Sequence, residues 1–385
     1  MATHLLSDLD NGPITCSLVD LWNSFNALEK KPAFRSFFLG FSQADLTFKH
    51  RAAEMLELLD MYNEQSAEKK DKHSQFMTMS IAQWIFSSNR IEFAGTDTLV
   101  ETENLIAGQA TYGCSETKKK EVMQTFDLIK QTCSSHSELA TRQLSLDKLN
   151  MWHAQLLSGL MEYPGLFRKV GVVADAMQTS IPSKNRKHIY PHHQVVKHAT
   201  NVLCIITNIL TSEIDQITNT QDRLLFTFAL AAFVQFHFVD VHPYADGNGR
   251  LCRFLSKYYL DSILTLPSLM FNDRSSYLAT IINCRTMDPK MAPSPLLLLL
   301  LDTAITFYKE TLRLMARSYD KFLYATSSEE FFESMEIEEV LQDDRQFLAC
   351  EFVKLVVGVH ELTSPTSGKV YSVKKEMFVA DLDML

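Results

Sequence analysis

The sequence predicts a mainly α protein, and three observations predict it. Apolar residues recur at three- and four-residue spacing over long windows, strand-like alternation is scarce, and the run DRLLFTFALAAFVQFHFVDV, from Asp222 to Val241, is almost wholly apolar. In a folded chain such a run means a helix buried on nearly every side, the expected centre of the core.

The elements follow in chain order. One helix is expected from about Ser74 to Glu92, with Met77, Ile81, Trp84, Ile85 and Ser88 on one side and Gly95 as a stop. A second spans about Lys118 to Gln131 through Val122, Phe126 and Ile129. A third starts after Ser145, a good N-cap, and carries Leu149, Trp152, Leu156 and Leu157 on one face. Between Pro164 and Pro191, GLFRKVGVVADA, a polar stretch and HIYP read as two short strands joined by a long loop, hence a β-hairpin. The buried helix follows, then two or three helices from Arg250 to about Thr311. Farther on, EFVKLVVGVHEL and KVYSVKKEMFVADL, separated by the turn-rich TSPTSGK, fit strands or helix. The acidic stretch from Glu329 to Asp344 reads as a solvated face.

Composition narrows the function classes. Of 385 residues, 37 are Lys or Arg and 46 Asp or Glu, and the net charge of −9 argues against a general nucleic-acid binder. The seven Cys form no CxxC pair, and the odd total argues against a complete disulfide framework, which favours a reducing compartment. The tract Leu296 to Leu301 is stopped by Asp302, far short of the roughly 20 residues that cross a bilayer. MATHLLSDLDNGPIT lacks a basic n-region, so no secretory signal is expected and the cytosol or nucleus is the expected location.

Chemistry concentrates in VHPYADGNGRLCR, residues 241–253, directly after the buried helix. Gly247 and Gly249 have no side chains to block a ligand, so backbone N–H groups at a helix N-terminus can point at an anion. Arg250 and Arg253 lie three apart, on one helical face, and can hold phosphates by charge-assisted hydrogen bonds. Asp246 supplies the hard oxygen that a Mg²⁺ bridging phosphates requires. As a neutral imidazole, His242 can take the proton of an attacking hydroxyl. Together these residues describe nucleotidyl or phosphoryl transfer. Six residue identities at about one in twenty each make a chance match on the order of 10⁻⁵ over the chain.

HPYADGNGRLCR resembles the signature of the Fic family, H-x-F-x-[D/E]-G-N-G-R-x-x-R, departing from it only in Tyr244 for Phe. AAFVQFHFVDVHPY resembles the helix leading into the family's loop, LDKLNMWHAQLL its earlier leucine/histidine helix, and GLFRKVGVV with HIYPHHQVV the two sides of its flap hairpin. The resemblance covers roughly residues 118–302, leaving 1–117 as a helical N-terminal region and 303–385 as a C-terminal extension. It implies a helical bundle with a hairpin flap, and transfer of AMP from Mg-ATP to a Ser, Thr or Tyr hydroxyl of a protein. His242 is then the base, Asp246 the Mg²⁺ ligand, and Gly247, Asn248 and Gly249 line the anion hole for the α- and β-phosphates. Arg250 and Arg253 hold the outer phosphates. The flap, around Val172, Val173 and Ile189, takes the target segment as an added strand, and hairpin packing explains the same apolar residues equally well. Tyr277 and Asn283 are placed near the adenine.

Ser88-Asn89-Arg90-Ile91-Glu92 further resembles the first five positions of the family's inhibitory pattern [S/T]-x-x-x-E-[G/N], with Phe93 departing at the sixth. Ser88 and Glu92 are one helical turn apart on one face. The resemblance implies that Glu92 pairs with Arg253 and denies that arginine to the γ-phosphate; family members with such a glutamate also remove AMP. The intact Gly247-Asn248-Gly249 disfavours kinase chemistry. Other nucleotides, phosphocholine and a non-catalytic scaffold are the competing readings. The acidity of the last segment speaks against a DNA-binding module there. Expected partners are ATP and a protein substrate, with no nucleic acid and no membrane; the sequence leaves a homodimer open.

Overall fold

The computed structural model describes residues 3–6, 16–29, 31, 33–41, 45–68, 70–111, 113–132, 139–174, 188–266, 273–316, 358–364 and 367–375. Among them, helices dominate. β1 (Thr3–Leu6) precedes α1 (Ser17–Ala27), α2 (Phe34–Leu39), α3 (Leu46–Glu68), α4 (Lys70–Ile91), α5 (Leu99–Ile106), α6 (Glu116–Thr132) and α7 (Leu146–Leu157). The strands β2 (Gly171–Ala174) and β3 (His188–Ile189) lead to α8 (His193–Asp215), α9 (Thr220–Val241), α10 (Asn248–Leu260), α11 (Arg274–Thr286) and α12 (Ser294–Ala316). The chain divides into two compact units, Met1–Thr311 and Leu312–Leu385.

In the first unit α9 is the axis, capped at its start by the Asn219 side chain, which accepts from Asp222 N. It is the one described helix long and apolar enough to cross a bilayer, yet 94% of its apolar window is buried inside the protein. A uniformly apolar helix therefore serves as core, packed by α8 and α10 and touched by α2 and α3. An aromatic group from α1 and α2, in which the Phe25 and Phe38 rings each lie about 5 Å from those of Phe34 and Phe37, closes against it through Phe38 and Phe233.

The helices read from the sequence lie where expected, with ends within four residues: α4 for Ser74 to Glu92, α6 for Lys118 to Gln131, and α7 after Ser145, whose Oγ accepts from Lys148 N at 3.2 Å. No element was assigned from the sequence to α3 or α8. The last segment resolves in favour of strands: β4 (Gly358–Thr363) and β5 (Val370–Lys375) pair as an antiparallel hairpin in the second unit. The acidic stretch 329–344 lies outside the described residues.

The flap hairpin is present as β2 paired antiparallel with β3, Val173 opposite Ile189. A third strand joins it. β1 pairs antiparallel along the other edge of β2, Thr3 opposite Ala174 and Leu6 opposite Gly171, so β2 is central in the order β1-β2-β3. Four residues near the N-terminus thus satisfy backbone groups that an isolated hairpin would leave as an open edge.

Candidate active site

The sequence between α9 and α10 explains the geometry of the loop. α9 ends at Val241, and His242 takes a left-handed conformation, φ 52°, rare for a residue with a Cβ and less so for His. The Asn248 side chain then closes the loop on itself: its Oδ1 accepts from Tyr244 N (3.0 Å) and its Nδ2 donates to the Tyr244 carbonyl (2.8 Å). Gly247, φ 74°, is the N-cap of α10, and a Cβ there would run into Leu157. The first backbone N–H groups of α10 have no partner within their helix, which makes this end an anion site by construction.

Tyr244, where the family signature has Phe, is fully buried, and its hydroxyl donates to Asn150 Oδ1 at 2.9 Å. Its ring lies 3.8 Å from that of His153, nearly parallel. His153 holds the loop from α7: the Gly165 N–H can only donate, so Nδ1 accepts it (2.8 Å), and Nε2 therefore carries the proton given to the Asp246 carbonyl (2.9 Å). Burial pushes this imidazole down to about 4, so it is neutral.

The same reasoning fixes the tautomer of His242. Its Nδ1 lies 3.2 Å from the Val239 carbonyl, which can only accept, so Nδ1 carries the proton and Nε2 keeps the lone pair. Burial, then the nearby Arg168 charge, pushes its pKa down to about 3. Arg168 is buried and bonds backbone carbonyls: Nε donates to that of His242 (2.7 Å), Nη1 to that of Val170 (2.9 Å), and Nη2 to those of Pro191 and Val241. One guanidinium thereby ties both ends of the flap to the loop.

His242, Asp246, Gly247, Asn248, Gly249, Arg250 and Arg253 all line one cleft, with Glu92 just past the end of α4 and Tyr277, Leu278 and Ile281 from α11. Arg250 is buried, and its Nε and Nη1 make no hydrogen bond among the described residues; the Glu121 carboxylate stands 3.9 Å from Nη1, too far to accept one. Arg253, fully buried, donates through Nη1 to Glu92 Oε1 (2.9 Å), through Nε to Ser88 Oγ (3.0 Å) and through Nη2 to the Ser88 carbonyl (2.7 Å). Burial alone would raise the Glu92 carboxyl, but Arg253 prevails and holds it below the usual carboxylate value. Asp246 lines the cleft with Oδ1 accepting from Gly247 N at 2.7 Å.

The end of α4 explains how Glu92 is aimed. Phe93 N–H donates to the Arg90 carbonyl and Ala94 N–H to that of Asn89, the two bonds of a Schellman ending in which Glu92 is the last half-helical residue. Phe93 occupies the left-handed position that follows, φ 58°, where the family pattern has Gly or Asn. Arg274 compensates: its guanidinium lies 4.4 Å over the exposed Phe93 ring, and its Nε donates to the Ile91 carbonyl at 2.7 Å.

One expectation changes, and at the flap one of the two open readings gains. Asn283 is exposed and does not line the cleft; Tyr277, Leu278 and Ile281 do, and Asn283 lies about 200° around the helix from Ile281. Val172 and Val173 are buried in the packing of the hairpin, leaving Ile189, 48% exposed, as the apolar flap side chain that faces outward. Sequence reasoning did not single out His153, Arg168, Tyr190, Glu121 or Arg274.

Comparison with known proteins agrees with this picture. Residues 143–260 match the Fic/DOC family model. No curated protein matches the chain. Among solved structures, a Fic family protein from Desulfovibrio desulfuricans is 14% identical over 88% of this chain and 98% of its own, with a TM-score of 0.54. A Fic domain containing signaling protein from Bacteroides thetaiotaomicron is 16% identical over 70% of this chain and 97% of its own, TM-score 0.52. Fic-1 from C. elegans, residues 134–508, is 16% identical over 70% of this chain and 73% of its own, TM-score 0.50. At these identities the likeness is one of fold.

Proposed function

From the match of residues 143–260 to the Fic/DOC family model we propose that the chain transfers AMP from Mg-ATP to a hydroxyl side chain of a protein, under restraint by Glu92. The observation that carries the reading is Arg250, a buried guanidinium in the first turn of α10 whose Nε and Nη1 have no hydrogen-bond acceptor among the described residues. Buried donors without an acceptor are costly, and a phosphate in the cleft would satisfy them.

His242 has the tautomer a general base needs. A hydroxyl oxygen attacks the α-phosphorus, its proton passes to Nε2, the bond to the β-phosphate oxygen breaks, and pyrophosphate leaves. Asn248 and Gly247 hold the loop so that the α10 N–H groups meet the charge that develops on the phosphate oxygens. No three metal-binding side chains converge among the described residues, but a carboxylate beside an anion hole suits Mg²⁺, which takes one or two carboxylates and completes its shell with phosphate and water. Asp246 would hold it, and the ion would neutralise phosphate charge. Tyr277, Leu278 and Ile281 offer the adenine ring an apolar wall.

The restraint follows from competition. Arg253 can serve either Glu92 or a phosphate, and Glu92 already occupies it. A target strand using the outer edge of β2 must likewise displace Thr3–Leu6.

The test is to incubate wild type, Glu92→Gly and His242→Ala proteins with Mg²⁺ and ATP labelled at the α- or the γ-phosphate. Protein label from the α-position alone, strongest in Glu92→Gly and missing in His242→Ala, supports the reading. Label from the γ-position means a kinase, and none from either means another donor, removal of AMP, or a scaffold.

A further inference from the structure

Tyr190 follows the last residue of β3 and is buried against Val172 and Ala174. Its N–H donates to the Val172 carbonyl at 3.2 Å, which makes it part of the flap. Its ring also stacks on the His242 imidazole, centroids 3.9 Å apart and planes inclined by 28°. The far side of Tyr190 is anchored. Arg285 of α11 lies 5.3 Å from the ring centre, donates to the hydroxyl at 3.4 Å, and through Nε to Asp240 Oδ1 at 3.1 Å. His188 meets the same ring edge-on at 4.7 Å, with its Nε2 3.5 Å from Asp240.

We propose that Tyr190 is a positioning residue that fixes the plane of the His242 imidazole and thereby couples the flap to the aim of the base. The inference rests on the reading of His242 as that base. A single Nδ1 bond to the Val239 carbonyl leaves the ring free to rock about that bond, and a stacked aromatic removes this freedom. The stack joins two segments distant in sequence, so a shift of the flap on docking moves the face against which the imidazole rests. Tyr190 does not line the nucleotide cleft, so its loss should act on turnover and leave nucleotide binding alone.

The experiment uses the full chain with Glu92→Gly as background, first requiring that His242→Ala abolish self-labelling from α-labelled ATP; failure at this step overturns the function reading and not the stack. Tyr190→Leu should then lower the maximal labelling rate about 10- to 100-fold with the half-saturating ATP concentration unchanged within about twofold. Tyr190→Phe, which keeps the ring and loses the hydroxyl, should recover at least a third of the rate. A Leu variant at the full rate, or a Phe variant as poor as Leu, overturns the proposal. Independently of activity and of the Leu variant's folding, the His242 ring-proton NMR signal, assigned by its loss in His242→Ala, should show an upfield ring-current shift in Glu92→Gly and in the Phe variant. The absence of that shift overturns the stack itself.

Discussion

The Glu92 carboxylate lies against the Cα of Gly249, so close that a Cβ on Gly249 would overlap it. The absent side chain at Gly249 thus leaves room beside the first turn of α10, and the Glu92 carboxylate occupies that room. The contact brings α4, from the N-terminal helices, onto the first turn of α10.

Glu92→Gly should raise nucleotide affinity and transfer together. A charge-assisted bond to a buried group contributes on the order of 1.5–3 kcal/mol, so removing the competitor corresponds to about 10- to 100-fold in half-saturating ATP. Titration of the labelling rate with ATP checks this; an unchanged value in a folded variant would remove Glu92 from the mechanism.

Phe93→Gly should stabilise the end of α4. A left-handed conformation costs a residue with a Cβ roughly 1 kcal/mol or more, which Gly avoids, while the cation–π pairing with Arg274 that the variant gives up is exposed and worth about 0.5–1 kcal/mol. The expectation is a Tm equal to or slightly above wild type and an unweakened restraint. Thermal unfolding with the labelling rate decides it, and a clear fall in Tm would mean that the Phe93–Arg274 pairing outweighs the strain.

Deleting residues 1–6 should speed transfer to an extended peptide acceptor by a few-fold, because β1 covers the edge of β2. Half-saturating ATP should stay as it was, since the described residues that line the cleft come from the end of α4, from α9, α10 and α11, and from the loop before α10. Slower transfer on deletion would mean that β1 supports the flap and does not compete for it.

Three of the buried imidazoles, those whose pKa burial lowers, set the pH response. Burial holds His242 at about 3 and His153 and His237 at about 4, against an ordinary 6.5. Unfolding lets each take up a proton below 6.5, so their stabilisation is complete above that value and is lost as pH falls toward 4, on the order of 3 kcal/mol each. Denaturant midpoints should be level from pH 7 to 8 and fall steadily between 6.5 and 4. A midpoint that rises on acidification would contradict the burial of these rings as neutral species.

Much of the site was legible because its chemistry is local. His242, Asp246, the two glycines and both arginines fall on one loop and one helical turn, where spacing alone places them together, and Ser88 and Glu92 share a face by the pitch of a helix. The partners that hold them were not legible, because their roles exist only after folding. Arg168 is defined by carbonyls of the flap and loop, Tyr190 by the ring it covers, and Glu121 by its approach to Arg250 from another helix. The β1 pairing was hidden for a different reason: four residues carry too short a pattern to be told from a loop. Asn283 was misplaced because a helix turns 100° per residue, and a small error in register exchanges the cleft face for solvent.

The most direct measurement is the intact mass of the Glu92→Gly protein after incubation with Mg²⁺ and ATP, beside a Glu92→Gly, His242→Ala double variant. The account predicts a gain of whole AMP units in the first and none in the second. A gain of phosphate units, or an equal gain in both proteins, would contradict it.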